Sequence, residues 1–325
     1  MKRPRVISGL FLYPYCHSSG IISCRQRWQK EAEGEDMLWF ILALGTAFFS
    51  ALEAVVVKKW LGHLSRCDML ACFLGWSWPM FALYIMIRGW QPLAPEFWQA
   101  LLVMLPLNIL GTFIQYEAIR SAPISLIMPL MAFTPAFMIV TGFVFLGELP
   151  TPAGLAGIAC IVAGSWVLNA KAANRTALLE PFRAIFRVRG SRYALYASII
   201  WAIGAVFSKR MALAGDPFYA GAMFFTIHNA LLVGGLLLTG KASWRTMLRH
   251  PVAGIASGMT LVAHIACHYI SITMVAAAYM ISIKRLNGVI SVAMGGLFFK
   301  DENVRGRFIG AAVMALGAGI IALWG

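Results

Sequence analysis

Charge is what this sequence has least of. Of its 325 residues only 13 are Asp or Glu and 27 are Lys or Arg; charged residues make up 12 % of the chain and hydrophobic ones 60 %. A soluble domain carries about twice that charged share, so a water-soluble globular protein is excluded. The six cysteines (Cys16, Cys24, Cys67, Cys72, Cys160 and Cys267) show no paired spacing. Cys72, Cys160 and Cys267 lie in apolar runs and read as small buried hydrophobes. No GxxxxGK[ST] motif occurs, so any pumping would have to borrow an ion or exchange gradient. The excess of bases over acids does not point to nucleic acid as a partner, because membrane proteins gather Lys and Arg in cytoplasmic loops.

Long apolar runs are what the chain has in abundance. A helix needs about 20 mostly apolar residues to cross a bilayer, and such runs recur from Met37 onward. They are continuous, unlike the alternating pattern of a membrane barrel. The expected fold is therefore all-α and integral to the membrane, with the lipid bilayer as its surroundings. Ten spans are predicted: 37–57, 69–88, 97–119, 123–146, 150–169, 193–213, 217–239, 251–274, 276–299 and 303–325. A basic linker, 170–192, divides them into blocks at 37–169 and 193–325.

The two blocks are similar. "ALEAVVVKK" (51–59) matches "AIGAVFSKR" (202–210), and "IQYEAI" (114–119) matches "CHYISI" (267–272). "GFVFLGE" (142–148) matches "GLFFKDE" (296–302), and "LAGIACIVAG" (155–164) matches "FIGAAVMALG" (308–317). Four matches in one order indicate a duplication. Five spans per block is an odd number, so the second repeat must enter the membrane inverted. Inverted repeats are a mark of secondary transporters, whose substrate site lies near the midplane between the repeats.

Sixteen Lys and Arg fall after odd-numbered spans and three (Arg88, Lys209, Arg210) after even-numbered ones. The positive-inside rule then puts the odd loops in the cytoplasm. Residues 1–36 fit this picture poorly, since they hold six bases and a broken apolar stretch at 6–22. "EGE" (33–35) back-translates to a purine-rich tract just upstream of the Met37 codon, where a bacterial ribosome would bind. These observations raise the expectation that Met37 is the natural start and that the protein is multi-pass in a bacterial inner membrane. The alternative is a disordered basic tail.

Each block closes alike: a span rich in small residues, an acidic turn ("LGELPTPAG", "FKDENVRG"), then a Gly/Ala-rich last helix. With the five-plus-five duplication, this resembles the drug/metabolite transporter superfamily with paired EamA-type domains. The resemblance covers 37–325. It implies transport of a small molecule and no enzymatic activity, and it leaves room for a homodimer. It does not choose among amino acids, sugars, nucleotide-sugars, phosphorylated metabolites and drugs. Glu148 and Glu302 fall on the acidic turn and read as anions beside helix N-termini, with Thr151 as N-cap and Pro152 at N1.

A charge inside a membrane helix costs about 2.5–3.5 kcal/mol on insertion scales, so it normally faces a cavity or a partner. The candidates are Glu53, Asn108, Gln115, His228, His264, His268, Lys284, Arg285 and Asn287. Lys284 shares a helical stripe with Gly288, Ser291 and Gly295. His264 and His268 are one turn apart; Asn108, Thr112 and Gln115 form another stripe; Thr46, Ser50 and Glu53 a further one. Gln115 matches His268 in the duplication. A Lys-Arg pair offers eight N–H donors and two positive charges, suited to a phosphate or carboxylate. "KRLNGVISV" (284–292) also resembles the Lys-Arg pair in the penultimate helix of the plastid triose-phosphate/phosphate translocators, which implies an anionic substrate.

The expected substrate-binding set is Lys284, Arg285, His264, His268, Gln115, Asn108 and Ser291, with Glu53 as coupling group or charge partner. No cofactor or metal is expected. Three other readings stay open. Lys284 and Arg285 could simply pair with Glu53 and lock the halves together. Glu53 resembles the membrane-embedded Glu in the first helix of small multidrug exporters, which implies proton-coupled export of cations. His264 and His268 have the spacing of metal ligands, as an intramembrane enzyme would need. Glu117 reads as the partner of Arg120, and Trp39, Trp60, Trp98, Trp201 and Trp324 as interfacial anchors.

Overall fold

The computed structural model describes residues 21–122, 124–169, 185–299 and 304–325. Among these, all regular structure is helical. In chain order the helices are α1 (Ile21–Leu61), α2 (Arg66–Arg88), α3 (Pro95–Ser121), α4 (Ile124–Met131), α5 (Thr134–Leu146), α6 (Pro152–Asn169), α7 (Arg189–Leu213), α8 (Pro217–Leu238), α9 (Trp244–Arg249), α10 (Pro251–Met274), α11 (Ala277–Lys284), α12 (Asn287–Phe299) and α13 (Val304–Trp324). Among the described residues, five segments are long and apolar enough to cross a membrane: Met37–Leu61, Arg66–Arg88, Pro95–Ser121, Pro217–Leu238 and Pro251–Met274. Thr134–Leu146, Pro152–Leu168 and Phe308–Trp324 are shorter apolar helices. Side chains such as Leu102, Val140 and Phe308 stand fully out from the bundle. In lipid such exposure carries no penalty.

Local chemistry explains where several helices begin and end. Ser65 Oγ accepts the Asp68 N–H at 3.2 Å and starts α2. Asp216 Oδ1 accepts the Tyr219 N–H at 2.8 Å just before Pro217, the first residue of α8. Thr151 Oγ1 accepts the Gly154 N–H at 3.0 Å and starts α6, with Pro152 at its first position as expected. Gly147, at φ 69°, closes α5 by a left-handed turn that lets Glu148 N–H reach Gly142 O at 3.2 Å. That turn aims the Glu148 side chain back at the bundle.

The strongest helix pairings run antiparallel. On α6 and α13, Gly157 lies against Gly317 and Ile321, and Gly164 against Gly310 and Met314. A Cβ on Gly157 would come within 2.8 Å of Gly317 O, and one on Gly164 within 2.7 Å of Gly310 O. Only glycine lets these backbones approach so closely. Between α3 and α7, Gly190 lies against Ala122 and Gly204 against Met104. On α1 and α10, Gly45 meets Cys267 while Glu53 meets His264.

Three expectations are revised. Two predicted spans are broken: 123–146 into α4 and α5, and 276–299 into α11 and α12. The helix containing Met37 extends back to Ile21 as α1, while residues 1–20 lie outside the described residues. The predicted linker 170–192 ends in helix, since α7 begins at Arg189; residues 170–184 and Glu302 lie outside the described residues.

Candidate functional site

α1, α3, α7, α8 and α10 enclose a cavity of about 380 Å³ together with the α4–α5 and α11–α12 breaks. The first break follows from sequence. Pro135 has no N–H to give to Met131 O, and Thr134 Oγ1 donates to that carbonyl instead, at 2.8 Å. The second has no proline. Arg285 caps α11, and the chain tightens there into three-residue turns: Leu286 N–H to Ile283 O at 3.0 Å and Gly288 N–H to Arg285 O at 3.2 Å. Lys284 and Arg285 therefore stand at a helix C-terminus, the end whose dipole favours cations.

Lys284, Arg285, His264, His268, Gln115, Asn108 and Glu53 all line this cavity. They come from four separate stretches of the chain. Ser291 is not among the lining residues. Its expected stripe assumed one continuous helix, and the break between Lys284 and Asn287 interrupts that register. Asn287 takes the place instead, donating from Nδ2 to Ser50 Oγ at 3.3 Å. Thr112 turns back to its own helix, donating to Asn108 O at 2.8 Å.

The polar contacts leave the two cations without a carboxylate. Glu53 is the cavity's one acid among the described residues, and its Oε2 lies 3.0 Å from His264 Nδ1. No carboxylate oxygen of a described residue is within 4.0 Å of Lys284 Nζ or of the Arg285 guanidinium. Arg285 Nε is buried and makes no hydrogen bond. The alternative in which these cations pair with Glu53 is thus not the arrangement seen. His264 Nε2 and His268 Nδ1 are also buried and make no hydrogen bond among the described residues. Among the described residues no three His, Cys, Asp or Glu form a group that could hold a metal. The rings of His264 and His268 are 6.2 Å apart, one facing Glu53 and the other Ser208.

Other sequence-based expectations are corrected. Trp201 is no interfacial anchor: its Nε1 donates to Gln115 Oε1 at 2.8 Å in the cavity wall. Trp39 is buried. Glu117 accepts from Ser121 Oγ at 3.1 Å and forms no ion pair with Arg120. His228 lies buried on α8 beside Phe224, bonded to Asn229 Oδ1 at 2.9 Å, and is not among the residues lining the cavity.

One group had been counted only as a loop base. Lys209, 5 % exposed, forms an ion pair with Glu148 and donates to Val275 O at 2.7 Å. The other oxygen of Glu148 accepts the Ala277 N–H, the first of α11, at 2.9 Å. Glu148 does serve a helix N-terminus, but that of α11 rather than its neighbour α6. No local pattern announces this, because Glu148, Lys209 and Ala277 are more than 60 residues apart in sequence.

The structure is thus all-helical in its described residues, with a polar cavity between helices long and apolar enough to cross a membrane. Residues 37–170 match the EamA-like transporter family. A solved structure, titled only as the crystal structure of a protein, is similar over 90 % of this chain and 99 % of its own. Its TM-score is 0.66 at 19 % sequence identity, a likeness of fold alone. No curated protein matches the chain in sequence.

Proposed function

We propose that this protein is a secondary transporter that moves a small organic anion, a phosphorylated or carboxylated metabolite, through the central cavity by alternating access. The observation that carries this reading is the Lys284–Arg285 pair. Both residues open on the cavity, and no described carboxylate lies within ion-pair distance. Unanswered charges in a membrane interior are costly, and a bound phosphate or carboxylate would answer both. His264 Nε2 and His268 Nδ1 add unpartnered groups in the same cavity wall.

The transport route we infer is the seam between two inverted five-span repeats, with each broken pair, α4–α5 and α11–α12, counted as one span. The antiparallel crossings support it. Gly157 and Gly164 match Gly310 and Gly317 in the duplication, and each lies against the other's counterpart. In this reading the protein is multi-pass in a bacterial inner membrane with its odd loops cytoplasmic, and the repeats rock about the site.

A second reading rests on the Glu53–His264 bond, which is suited to carry a proton for export of organic cations. Transport and thermal stabilisation separate the two. The purified protein in liposomes is screened with phosphate esters, carboxylates and organic cations. The anion reading expects the first two groups to act and Lys284→Ala to abolish their effect, with Glu53→Gln milder. Activity confined to cations, intact in Lys284→Ala and lost in Glu53→Gln, would establish the second reading instead.

A further inference from the structure

A second, basic pocket lies away from the central cavity, where the end of α1 meets the start of α10. It measures about 440 Å³ and is formed by Lys59, Trp60 and His63 on one side and Arg249, His250 and the 251–253 turn on the other. Two cationic side chains and two imidazoles thus converge among the described lining residues. The His63 and His250 rings meet edge to face, 5.2 Å between centroids. His250 precedes α10 without capping it by its side chain, so the free N–H groups of that first turn face the same region.

We infer that this pocket binds the phosphate headgroup of an acidic phospholipid. Its place in the bundle argues for a lipid over a free anion. Lys59 and Trp60 end one candidate span and Pro251 begins another, so the pocket sits at the level where helices leave the bilayer. Large apolar side chains around it are exposed: Trp60 41 %, Leu248 51 %, Trp244 57 % and Val252 72 %. Those residues offer a surface to acyl chains, while Lys59 and Arg249 offer charge to the headgroup; basic pockets between spanning helices recognise anionic lipids in this way. The site shares no lining residue with the central cavity, so it stands independently of the substrate reading.

The test is thermal melting of the full-length protein in neutral detergent. Short-chain phosphatidylglycerol, short-chain phosphatidylcholine and inorganic phosphate are added in separate arms. Phosphatidylglycerol is expected to raise the midpoint by about 5 °C at saturating concentration, with little effect of the other two. Lys59→Gln combined with Arg249→Gln is expected to remove more than half of that shift. Arg245→Gln, a basic change on α9 outside the pocket, keeps it. An equal shift with phosphatidylcholine, or with phosphate alone, overturns the lipid assignment. So does a full shift in the double variant. Should that variant fail to fold, Arg249→Gln alone carries the comparison, and the three wild-type arms suffice to refute the site.

Discussion

The break between α4 and α5 and the break between α11 and α12 both border the central cavity, yet different chemistry makes them. At the first, Pro135 withholds an N–H and Thr134 Oγ1 repairs the loss by donating to Met131 O. At the second there is no proline, and two cations sit where the helix ends. Extending the match of 142–148 with 296–302 places Leu130 and Met131 opposite Lys284 and Arg285. One half therefore presents an apolar pair and the other a doubly charged pair at corresponding points. In the proposed duplication, the shape of a site would be supplied twice and its polarity once. A single anion could then be held off-centre, on the α11–α12 side.

The largest effect should come from erasing that difference. Lys284→Ala with Arg285→Gln removes two charge-assisted hydrogen bonds at about 1.5–3 kcal/mol each. Binding of an anionic substrate should fall by about 100- to 10,000-fold in a calorimetric or stabilisation assay. Met131→Ala should change it by less than about threefold, the size of a modest packing loss. Next in size is the support of the charged half. Glu148→Ala leaves Lys209 buried with only Val275 O and costs α11 its N-terminal acceptor. Loss of about 3–5 kcal/mol is expected from stranding a buried charge, read as a lower melting temperature. Replacing both partners, Glu148→Leu with Lys209→Met, should recover most of it.

Smaller changes probe how each break is made. Thr134→Val deprives Met131 O of its donor and should cost about 1–3 kcal/mol in stability, with anion affinity unchanged. Gly288→Ala should do least. A Cβ there meets Leu168 Cδ2 at 3.5 Å, an ordinary contact. The substitution should stabilise by about 0.4–1 kcal/mol through the unfolded chain. If it instead abolishes transport with the fold intact, the α11–α12 break needs glycine for motion.

Much of the helical layout could be read from the chain because helices are locally determined. Apolar runs, N-caps such as Thr151 and the Gly157–Gly164 and Gly310–Gly317 spacings act within a few residues. The cavity-lining set was also largely legible, since a polar group in an apolar run has few places to go: Lys284, Arg285, His264, His268, Gln115, Asn108 and Glu53 all reach the cavity. Ser291 was misplaced because a stripe holds only while the helix does, and nothing like Pro135 marks the second break. Trp201 was misjudged because a Trp near a span end looks alike whether it meets headgroups or Gln115.

By itself, then, the sequence determined a membrane-embedded helical protein, the approximate extent of its helices and the presence of two cations where lipid cannot answer them. Only the tertiary structure decided which groups do answer each other. Glu53 turns to His264, 211 positions away, rather than to Lys284, and Lys209 turns to Glu148. The reason is one of range. Backbone hydrogen bonds and apolar periodicity act over three or four residues, whereas these pairings depend on antiparallel helices meeting across the bundle.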